Sequence, residues 1–565
     1  MDFEALADLL ELYARTVPLA ERAVVCSRTG HRWQDEDLIA LLREIKVTGG
    51  VPASAESLAE LAKGDRCHGG NGRLTLDELT TALTLLADEE ARGWVTKYAS
   101  REELRAAGYA NVWVSPVLLA DKMSDGQRKL KSTVDLVTGV VRDGVHHPLM
   151  PQSRWCDHDS KESSKGAEDS INDLSPMTKD KLHSKLDDVP YVARVAMALM
   201  SKDGELGPDE LRAVEGSTVD ISSAYRLLPL ARSARALHVF KFLDPDKPIP
   251  AYVLGGGQPR DEDCVWWVKS VMPFGWKLSV DYFVRTSKAL KALHLWDECP
   301  PLRHRVPRAA DGSRQHDAST YVDDFGLYAL EGLGQLAQDR YLELLAYLRI
   351  PVSMEKLEAE GGVTTALHML GVIFDFAARE MRLSPARLEA LKRRCREMRD
   401  KKVCTREEYD SLVGVLSFCA SCVAGGSGRT FMRSLYDLQR RRGGWVRLTR
   451  GASVDLNWWL RFVEEYNGES MMLDDYFTTA EELGLYTDAS LEAFGACWVR
   501  PDGTAEYFSG RWDEVLPGID TRQVLPDGSI GEWHISELEA VVVQMAVKKM
   551  GFALRGAQNC HSLRQ

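Results

Sequence analysis

Apolar and polar positions follow two different periods along this chain of 565 residues, and each period predicts a different kind of element. Over residues 1–95 apolar side chains recur at helical spacing, which predicts several short helices. Over 217–230 and 318–328 short apolar runs with β-branched and aromatic residues predict strands. Helical spacing returns over 386–424. The pattern therefore predicts a mixed chain, and its length predicts about three to five domains.

The strand over 318–328 turns on two adjacent carboxylates, Asp323 and Asp324. Like charges side by side repel each other, and aspartate is a poor strand former. The pair is either a hairpin turn that happens to be Asp-Asp or a site for a hard divalent cation, which carboxylates and substrate phosphates hold together. Another carboxylate, Asp220, lies in the apolar strand over 217–230. This second acidic strand favours the metal site.

Three further segments complete an ordered series around these carboxylates: Val271-Met-Pro-Phe-Gly-Trp-Lys-Leu-Ser279, Val352-Ser-Met-Glu-Lys356 and His368-Met-Leu-Gly-Val-Ile-Phe-Asp375. In order and spacing the series resembles the palm motifs of reverse transcriptases. The resemblance covers roughly residues 110–555. It implies an α+β multidomain fold, namely a right-hand polymerase with fingers, a ferredoxin-like palm and a helical thumb, followed by a partial RNase H-like α/β domain.

The resemblance divides the chain into four predicted regions: a helical N-terminal extension (1–100), fingers and palm (101–385), a helical thumb and connection (386–470) and a truncated RNase H-like domain (480–565). Within the extension, the loop over 67–78 is similar to an EF-hand loop in its second half. Cys67 and Gly69 stand where calcium needs oxygen ligands. We therefore predict a degenerate or fortuitous loop.

The carboxylates take metal-binding roles by the same resemblance. It implies that Asp220 and Asp323 are the primary ligands of two Mg²⁺ or Mn²⁺ ions and that Asp324 supports them. One ion would activate the primer 3′-hydroxyl, and the other would neutralise charge on the leaving pyrophosphate. Lys356 is either the general acid that protonates pyrophosphate or a solvated loop lysine.

The substrate-binding residues are also implied by the resemblance. Tyr225 matches an aromatic steric gate that excludes a 2′-hydroxyl and so selects dNTPs, the alternative being a core tyrosine. Phe274, Gly275 and Lys277 match the motif that lines the template and the incoming base, and glycine permits close backbone approach.

The fingers are predicted from a basic turn over 122–135, which follows a strand candidate at Tyr109–Leu119. Lys131 and Arg128 would contact the triphosphate of the incoming nucleotide, or else belong to a solvated basic turn. Thr138 stands where the family usually has arginine. The residues that would contact the triphosphate therefore match the family pattern less closely than the carboxylates of the metal site do.

The net charge of −13 argues at first against a nucleic-acid partner. Its distribution argues for one, because residues 386–450 hold 16 Lys and Arg against 7 Asp and Glu, whereas residues 1–100 hold 11 against 17. Eleven cysteines without regular spacing favour a reducing compartment. No run of eighteen apolar residues occurs, so we expect an intracellular protein of the cytoplasm or nucleus without a membrane partner.

The C-terminal region resembles one particular type of reverse transcriptase. The stretch 446–460 is similar to reverse transcriptases of the DIRS-like, tyrosine-recombinase retrotransposon type, which implies an RNase H domain next. Asp488 and Glu537 would be two of its metal ligands. No Asp or Glu follows Glu539, and such a site normally needs at least three carboxylates. Either the domain is truncated or the product continues past a frameshift, and from the sequence as it stands we expect little or no RNase H cleavage.

The expected function is that of an RNA-directed DNA polymerase of retroelement origin, acting on a primed RNA or DNA template with dNTPs and Mg²⁺. A domesticated or decayed retroelement protein that binds nucleic acid without polymerising is the alternative. An RNA-dependent RNA polymerase is disfavoured by Tyr225. The template, the primer and the oligomeric state do not follow from the sequence.

Overall fold

The computed structural model describes most of the chain in two compact units, Met1–Val195 with Val214–Glu469, and Ala196–Ala213 with Ser470–Gln565. For a few described residues, including Arg128, Lys131 and Glu537, only the backbone is described. The structure does not describe 19–20, 22–23, 27–30, 33–35, 68–73, 116, 122, 125–126, 129, 132–149, 152, 158–185, 204, 207–209, 423, 442, 465–466, 471–484, 491, 500–503, 516–521, 525–529, 533–534 and 551–565.

Both helices and strands occur in each unit, as expected for a mixed chain. The helices are α1 (Phe3–Thr16), α2 (Glu36–Thr48), α3 (Ala55–Ala62), α4 (Leu76–Ala91), α5 (Arg101–Ala106), α6 (Val189–Ser201), α7 (Arg232–Arg235), α8 (Ala251–Leu254), α9 (Lys277–His294), α10 (Gly334–Tyr347), α11 (Met354–Glu360), α12 (Pro385–Lys401), α13 (Arg406–Cys419), α14 (Arg433–Gln439), α15 (Arg450–Phe462), α16 (Trp512–Val515) and α17 (Ile535–Met550). None of the helices in the described ranges is long and apolar enough to cross a membrane.

The strands form several separate sheets and hairpins. In chain order they are β1 (Val24–Cys26), β2 (His31–Arg32), β3 (Arg66–Cys67), β4 (Val95–Tyr98), β5 (Trp113–Val114), β6 (Val117–Asp121), β7 (Met123–Ser124), β8 (Gln127–Arg128), β9 (Leu130–Lys131), β10 (Met150–Pro151), β11 (Ser153–Asp157), β12 (Val214–Asp220), β13 (Val239–Leu243), β14 (Cys264–Lys269), β15 (His316–Tyr321), β16 (Asp324–Leu330), β17 (Ala366–Met369), β18 (Val372–Asp375), β19 (Glu380–Leu383), β20 (Val403–Thr405), β21 (Trp445–Arg447), β22 (Glu469–Ser470), β23 (Leu485–Ala489), β24 (Ala493–Val499), β25 (Ala505–Arg511), β26 (Arg522–Val524) and β27 (Ile530–Glu532).

The N-terminal hundred residues contain more than the helices that their apolar spacing predicted. The strands β3 and β4 belong to a five-stranded sheet in the order β3-β5-β13-β14-β4, with β4 antiparallel to β14. Strands this short carry too few positions to establish a two-residue period, so the sequence pattern missed them. The EF-hand-like loop lies mostly in 68–73, outside the described residues.

A single hydrophobic core joins the first helix to the sheet that carries the carboxylates. Leu6 and Leu10 of α1 pack in the same buried cluster as Phe283 of α9 and Phe325 of β16. Tyr13 meets the ring of Trp296 edge to face, with 5.6 Å between ring centroids. The N-terminal helix therefore contributes directly to the core beneath the candidate site.

Local capping explains where several helices begin. Thr75 and Glu78 form a capping box at the start of α4, and Thr405 and Glu408 form another at the start of α13. In each case side chains satisfy backbone groups that the first helical turn leaves without partners. Ser384 caps α12, and Pro385 occupies its first turn, where its fixed φ suits a helix. For α12, the cap Ser384 lies two residues before position 386, where helical spacing was predicted to return.

The second unit contains a three-stranded antiparallel sheet, β23-β24-β25, with α17 packed on one face. Alternating residues of β24, such as Phe494 and Trp498, point to this face and pack against Leu538 and Val542 of the helix. The second unit thus combines a three-stranded sheet with a helix packed on one face.

Candidate active site

Three strands bring the predicted carboxylates together at one end of a small sheet. Strand β16 lies between β12 and β15 and is antiparallel to both. Asp220, the last residue of β12, is the direct partner of Asp324, the first residue of β16. Asp323 occupies the two-residue turn just before it. Because directly opposed residues of an antiparallel pair have closely spaced Cβ atoms, the sheet register itself places Asp220 beside Asp324.

The turn of this hairpin is held in an unusual backbone conformation. Val322 has a φ of 58°, a left-handed value that a β-branched residue rarely adopts. Two-residue hairpin turns need positive φ at their central positions, which is why glycine or asparagine usually occupies them. Ser287 of α9 donates a hydrogen bond to the Val322 carbonyl. The helix thus stabilises a strained turn that presents Asp323, and such strain concentrates at functional sites.

Lys356 contacts the same group of side chains. The Lys356 Nζ atom donates a hydrogen bond of 2.6 Å to Asp220 Oδ1. Its helix, α11, starts beside β12 because the Ser353 amide donates to the Asp220 carbonyl at 2.9 Å. Partial burial acts to lower the pKa of Lys356, but the hydrogen bond to Asp220 and the nearby carboxylates outweigh it and raise the pKa. Lys356 is therefore a protonated ammonium group in contact with Asp220, and its side chain is partly exposed.

Burial and neighbouring negative charge make Asp324 hard to ionise. Burial is the largest cause, the Asp323 carboxylate adds to it, and together they raise the pKa of Asp324 to about 7. Lys356 opposes this shift only in part. The carboxylates therefore carry more negative charge than the Lys356 ammonium neutralises. A bound cation would reduce the repulsion among them.

The donor set fits a hard divalent cation in its chemistry. Carboxylate oxygens are the ligands that Mg²⁺ and Mn²⁺ prefer, and Asp220, Asp323 and Asp324 supply them. In the described part of the chain, no group of three or more His, Cys, Asp or Glu side chains is arranged to hold a metal ion as it stands. Lys356 lies on Asp220 instead. A cation at these carboxylates would have to displace that ammonium group or share Asp220 with it.

The aromatic residue predicted as a sugar gate lies next to the glycine-containing turn. Tyr225, in a short 3-10 helix after β12, meets the ring of Phe274 edge to face at 5.1 Å between centroids. Phe283 contacts it from another side at 5.9 Å. Gly275 has a φ of 109° and is exposed, and Lys277 begins α9 with an exposed side chain. The structure thus joins Tyr225 and Phe274, which lie far apart in sequence.

For the other predicted site residues, the structure shows no contact with nucleotide or metal that could be compared with the prediction. Lys131 and Arg128 lie in short strands of which only the backbone is described, and Thr138 lies outside the described residues. Asp488 lies on β23 with an exposed side chain, and the Glu537 side chain in α17 is not described. Their proposed contacts with nucleotide or metal remain predictions.

Two buried lysines behind the hairpin escaped the sequence prediction. Lys288 and Lys291 of α9 both contact the Asp187 carboxylate, and each side chain is no more than 2% exposed. The Thr320 amide of β15 donates to Asp187 Oδ2 at 2.8 Å, and the Lys291 ammonium donates to the Tyr191 hydroxyl. This cluster fastens α9 and the segment before α6 to the strand that leads into the carboxylate turn.

Asp187 is buried although it follows a polar stretch of sequence. The stretch is rich in Ser, Lys and Asp, yet Asp187 is 1% exposed. Its charge is tolerated because two ammonium groups and a backbone amide satisfy it. The available signal was the i,i+3 spacing of Lys288 and Lys291 in α9, which places two ammonium groups on one helix face within reach of a shared carboxylate.

Neither protein-family models nor curated proteins match the chain. The chain is similar in structure to a viral reverse transcriptase. That structure is of the foamy viral protease-reverse transcriptase dRH in complex with ds DNA. The TM-score is 0.43 at 13% identity, and the alignment covers 97% of this chain and 73% of the other. This similarity is weak and carries no argument about function, which rests on the residues and the geometry described above.

The raised pKa of Asp324 predicts how stability depends on pH. The protonated form of a carboxyl group whose pKa is raised in the folded state contributes to the free energy of unfolding. This contribution is complete below the unfolded pKa near 4 and is lost as the pH rises through about 7. We therefore expect metal-free Asp324→Asn to exceed the wild-type chain in unfolding free energy at pH 8 by on the order of 2 kcal/mol. The difference should vanish near pH 4. Urea unfolding in EDTA measures both, and an equal difference at the two pH values would contradict the prediction.

A tightly packed glycine supports the hairpin from beneath. A Cβ atom on Gly326 would lie 2.3 Å from Tyr328 Oη, 2.7 Å from Met369 Sδ and 2.8 Å from Ser319 Oγ. Gly326→Ala is therefore expected to lower the free energy of unfolding by about 1–3 kcal/mol. In the control Gly414→Ala, nothing lies within 4 Å in the helix α13, and we expect a small gain. Equal effects of the two changes in urea unfolding would refute tight packing at Gly326.

Proposed function

We propose that this chain is an RNA-directed DNA polymerase that transfers a nucleotide from a dNTP to the 3′-hydroxyl of a primer. The observation that carries the proposal is the pairing of Asp220 with Asp324 across the sheet, with Asp323 in the adjoining turn. The sheet β12-β16-β15 with α9 and α10 would be the palm of a right-hand polymerase. The regions before and after it would be fingers and thumb.

The carboxylates would hold Mg²⁺ or Mn²⁺, with Asp220 and Asp323 as primary ligands and Asp324 in support. When bound, the ions activate the primer hydroxyl and neutralise charge on the leaving pyrophosphate. The protein's own contribution is to present Asp323 and Asp324 on a hairpin and Asp220 at the end of the adjacent strand β12. Lys356 holds a proton at Nζ next to Asp220 and would give it to the pyrophosphate.

The aromatic pair supports a deoxyribonucleotide substrate. The Tyr225 ring is held by Phe274 and Phe283, so it cannot turn aside without breaking two ring contacts. A fixed ring beside the sugar would exclude a 2′-hydroxyl. Gly275, at positive φ, would let the backbone approach the nucleotide, while Lys277, Lys131 and Arg128 would contact template or triphosphate.

The thumb supplies a basic surface for a primed template. Helix α12 and the elements after it expose a set of cationic side chains: Arg393, Arg396, Lys401, Lys402, Arg440, Arg441 and Arg447. Such side chains bind the phosphate backbone, and each contact makes affinity fall with salt. The net charge of −13 does not oppose this, because a local surface decides binding.

For the C-terminal unit we propose a partial RNase H-like site at Asp488 and Glu537. Two-metal hydrolysis needs ions that neutralise phosphate charge, and a pair of carboxylates alone holds two such ions poorly. The resemblance over 446–460 supports an origin in a retroelement of the DIRS-like type.

The test is extension of a labelled DNA primer on RNA and on DNA templates, with dNTPs and Mg²⁺, by the wild-type chain and by Asp323→Asn. We expect extension by the wild type on both templates, loss in EDTA and loss in the variant. Salt-sensitive duplex binding without extension by a folded wild-type chain would instead support the nucleic-acid binder. Extension with rNTPs in preference to dNTPs would support an RNA polymerase.

A further inference from the structure

A buried ion pair lies directly behind the aromatic pair. Arg226, the residue after Tyr225, is 4% exposed, and its guanidinium donates a hydrogen bond to the carboxylate of Glu89, which is 7% exposed. Glu89 belongs to α4, more than a hundred residues earlier in the chain. Because an unpaired charge is costly at such depth, Arg226 stays in this position only while Glu89 accompanies it.

Arg226 is also fixed by rings on either side. Its guanidinium carbon lies 5.5 Å from the centroid of Phe274 and 5.8 Å from that of Trp94. A guanidinium group over a ring face is attracted to it, more strongly where water is excluded. Trp94 is placed by the end of α4, where its amide donates to the Glu89 carbonyl at 2.9 Å. The same helix end therefore supplies the counter-ion and one of the rings.

The contacts form a continuous series from Glu89 to the sugar-binding surface. Glu89 holds Arg226, Arg226 lies against Phe274, and Phe274 meets Tyr225 at 5.1 Å. Tyr225 is also the covalent neighbour of Arg226. Movement of the guanidinium group would therefore disturb Tyr225 both through the backbone and through Phe274.

We propose that Glu89 is a positioning residue that fixes Tyr225 and Phe274 through Arg226 and so sets how strictly the site excludes a 2′-hydroxyl. This inference rests on the proposed polymerase function and gives the N-terminal region a part in substrate selection. Glu89 touches no reacting atom. Its effect falls on discrimination between two sugars, and a general support of the fold would not act in that way.

The experiment measures kcat/KM for a dNTP and for the matching rNTP with the same enzyme preparation. Loss of folded protein cancels in their ratio, so the ratio reports the shape of the sugar site alone. Glu89→Gln preserves size but removes the charge that retains Arg226. We expect it to lower the dNTP-to-rNTP ratio at least about fivefold, which is within the range that small changes in a specificity pocket produce.

Two further variants keep the test decisive. Asp88→Asn breaks an exposed pair with Arg92, of 2.9 Å, at the same helix end and should leave the ratio unchanged. Glu89→Leu with Arg226→Met removes both charges, which is generally compatible with folding, and it should lower the ratio as Glu89→Gln does. If Glu89→Gln fails to fold, this double variant decides the question.

Each result counts for or against the inference. A ratio within twofold of wild type in either Glu89 variant overturns it, and so does an equal loss in Asp88→Asn. A wild-type chain that extends dNTPs and rNTPs equally well also overturns it. A wild-type chain that extends no primer overturns the polymerase function itself, so the two failures are distinguishable.

Discussion

Replacement of Asp220 by asparagine is expected to lower the rate of primer extension by about a hundred- to a thousandfold, with little change in duplex binding. Asp220 is the direct partner of Asp324 and accepts the hydrogen bond from Lys356. The change removes one negative charge from the group that would hold the metal ions but keeps its size. Electrostatic groups aimed at the charge of a transition state are worth several kcal/mol each.

Single-turnover extension at saturating dNTP measures this effect apart from binding. Glu331→Gln is the matched control, because this exposed carboxylate follows the far end of β16, the strand that pairs with β12, and should leave the rate unchanged. The double variant Asp220→Asn, Asp323→Asn should lose no more of the extension rate than the product of the two single losses. Residues that act as a unit do not have additive effects. Full activity in Asp220→Asn would remove this carboxylate from the mechanism.

Replacement of Asp187 by leucine is expected to lower the free energy of unfolding of the first unit by about 3–5 kcal/mol. The change leaves the ammonium groups of Lys288 and Lys291 buried, each at 2% exposure or less, without their shared carboxylate. It also removes the acceptor for the Thr320 amide. Urea unfolding followed by tryptophan fluorescence measures the loss, and extension should fall with it because β15 leads into the carboxylate turn.

The triple variant Asp187→Leu, Lys288→Met and Lys291→Met separates charge from packing. Buried ion groups can often be exchanged for apolar residues of similar size without loss of stability. We therefore expect the triple variant to recover most of the unfolding free energy lost in Asp187→Leu. If it unfolds as readily as the single variant, the loss stems from packing or from the backbone contact, and not from unpaired charge.

The sequence predicted those parts of the site that depend on local pattern. Asp220 ends an apolar strand and Asp323 lies in a turn between two others, and the resemblance to palm motifs led us to expect them side by side. The same resemblance gave Tyr225 and Phe274 separate substrate-binding roles, but their ring contact was not predicted. For the fold, helical spacing predicted the start of α12 to within one residue.

What the sequence did not reveal depends on contacts between distant segments. Asp187 stands in a polar stretch and Glu89 in an amphipathic helix with other acids, so neither is distinguishable by composition from a solvated carboxylate. Their burial is decided by which helix packs against which, and periodicity carries no such information. The strands β3 and β4 were missed for the same reason, since pairing with β5 and β14 defines them.

The left-handed backbone at Val322 has a consequence for the history of this gene. Glycine at that position would relieve backbone strain of about 1–3 kcal/mol. Its greater conformational entropy in the unfolded chain would offset less than that. A lineage that no longer needed the Asp323 turn would therefore gain stability by losing the valine. Under the proposed polymerase function, related copies that have lost it should accumulate Gly or Asn at position 322, while copies under selection for synthesis should retain valine there. Sequences of such copies would then reveal loss of the proposed activity without an enzyme assay.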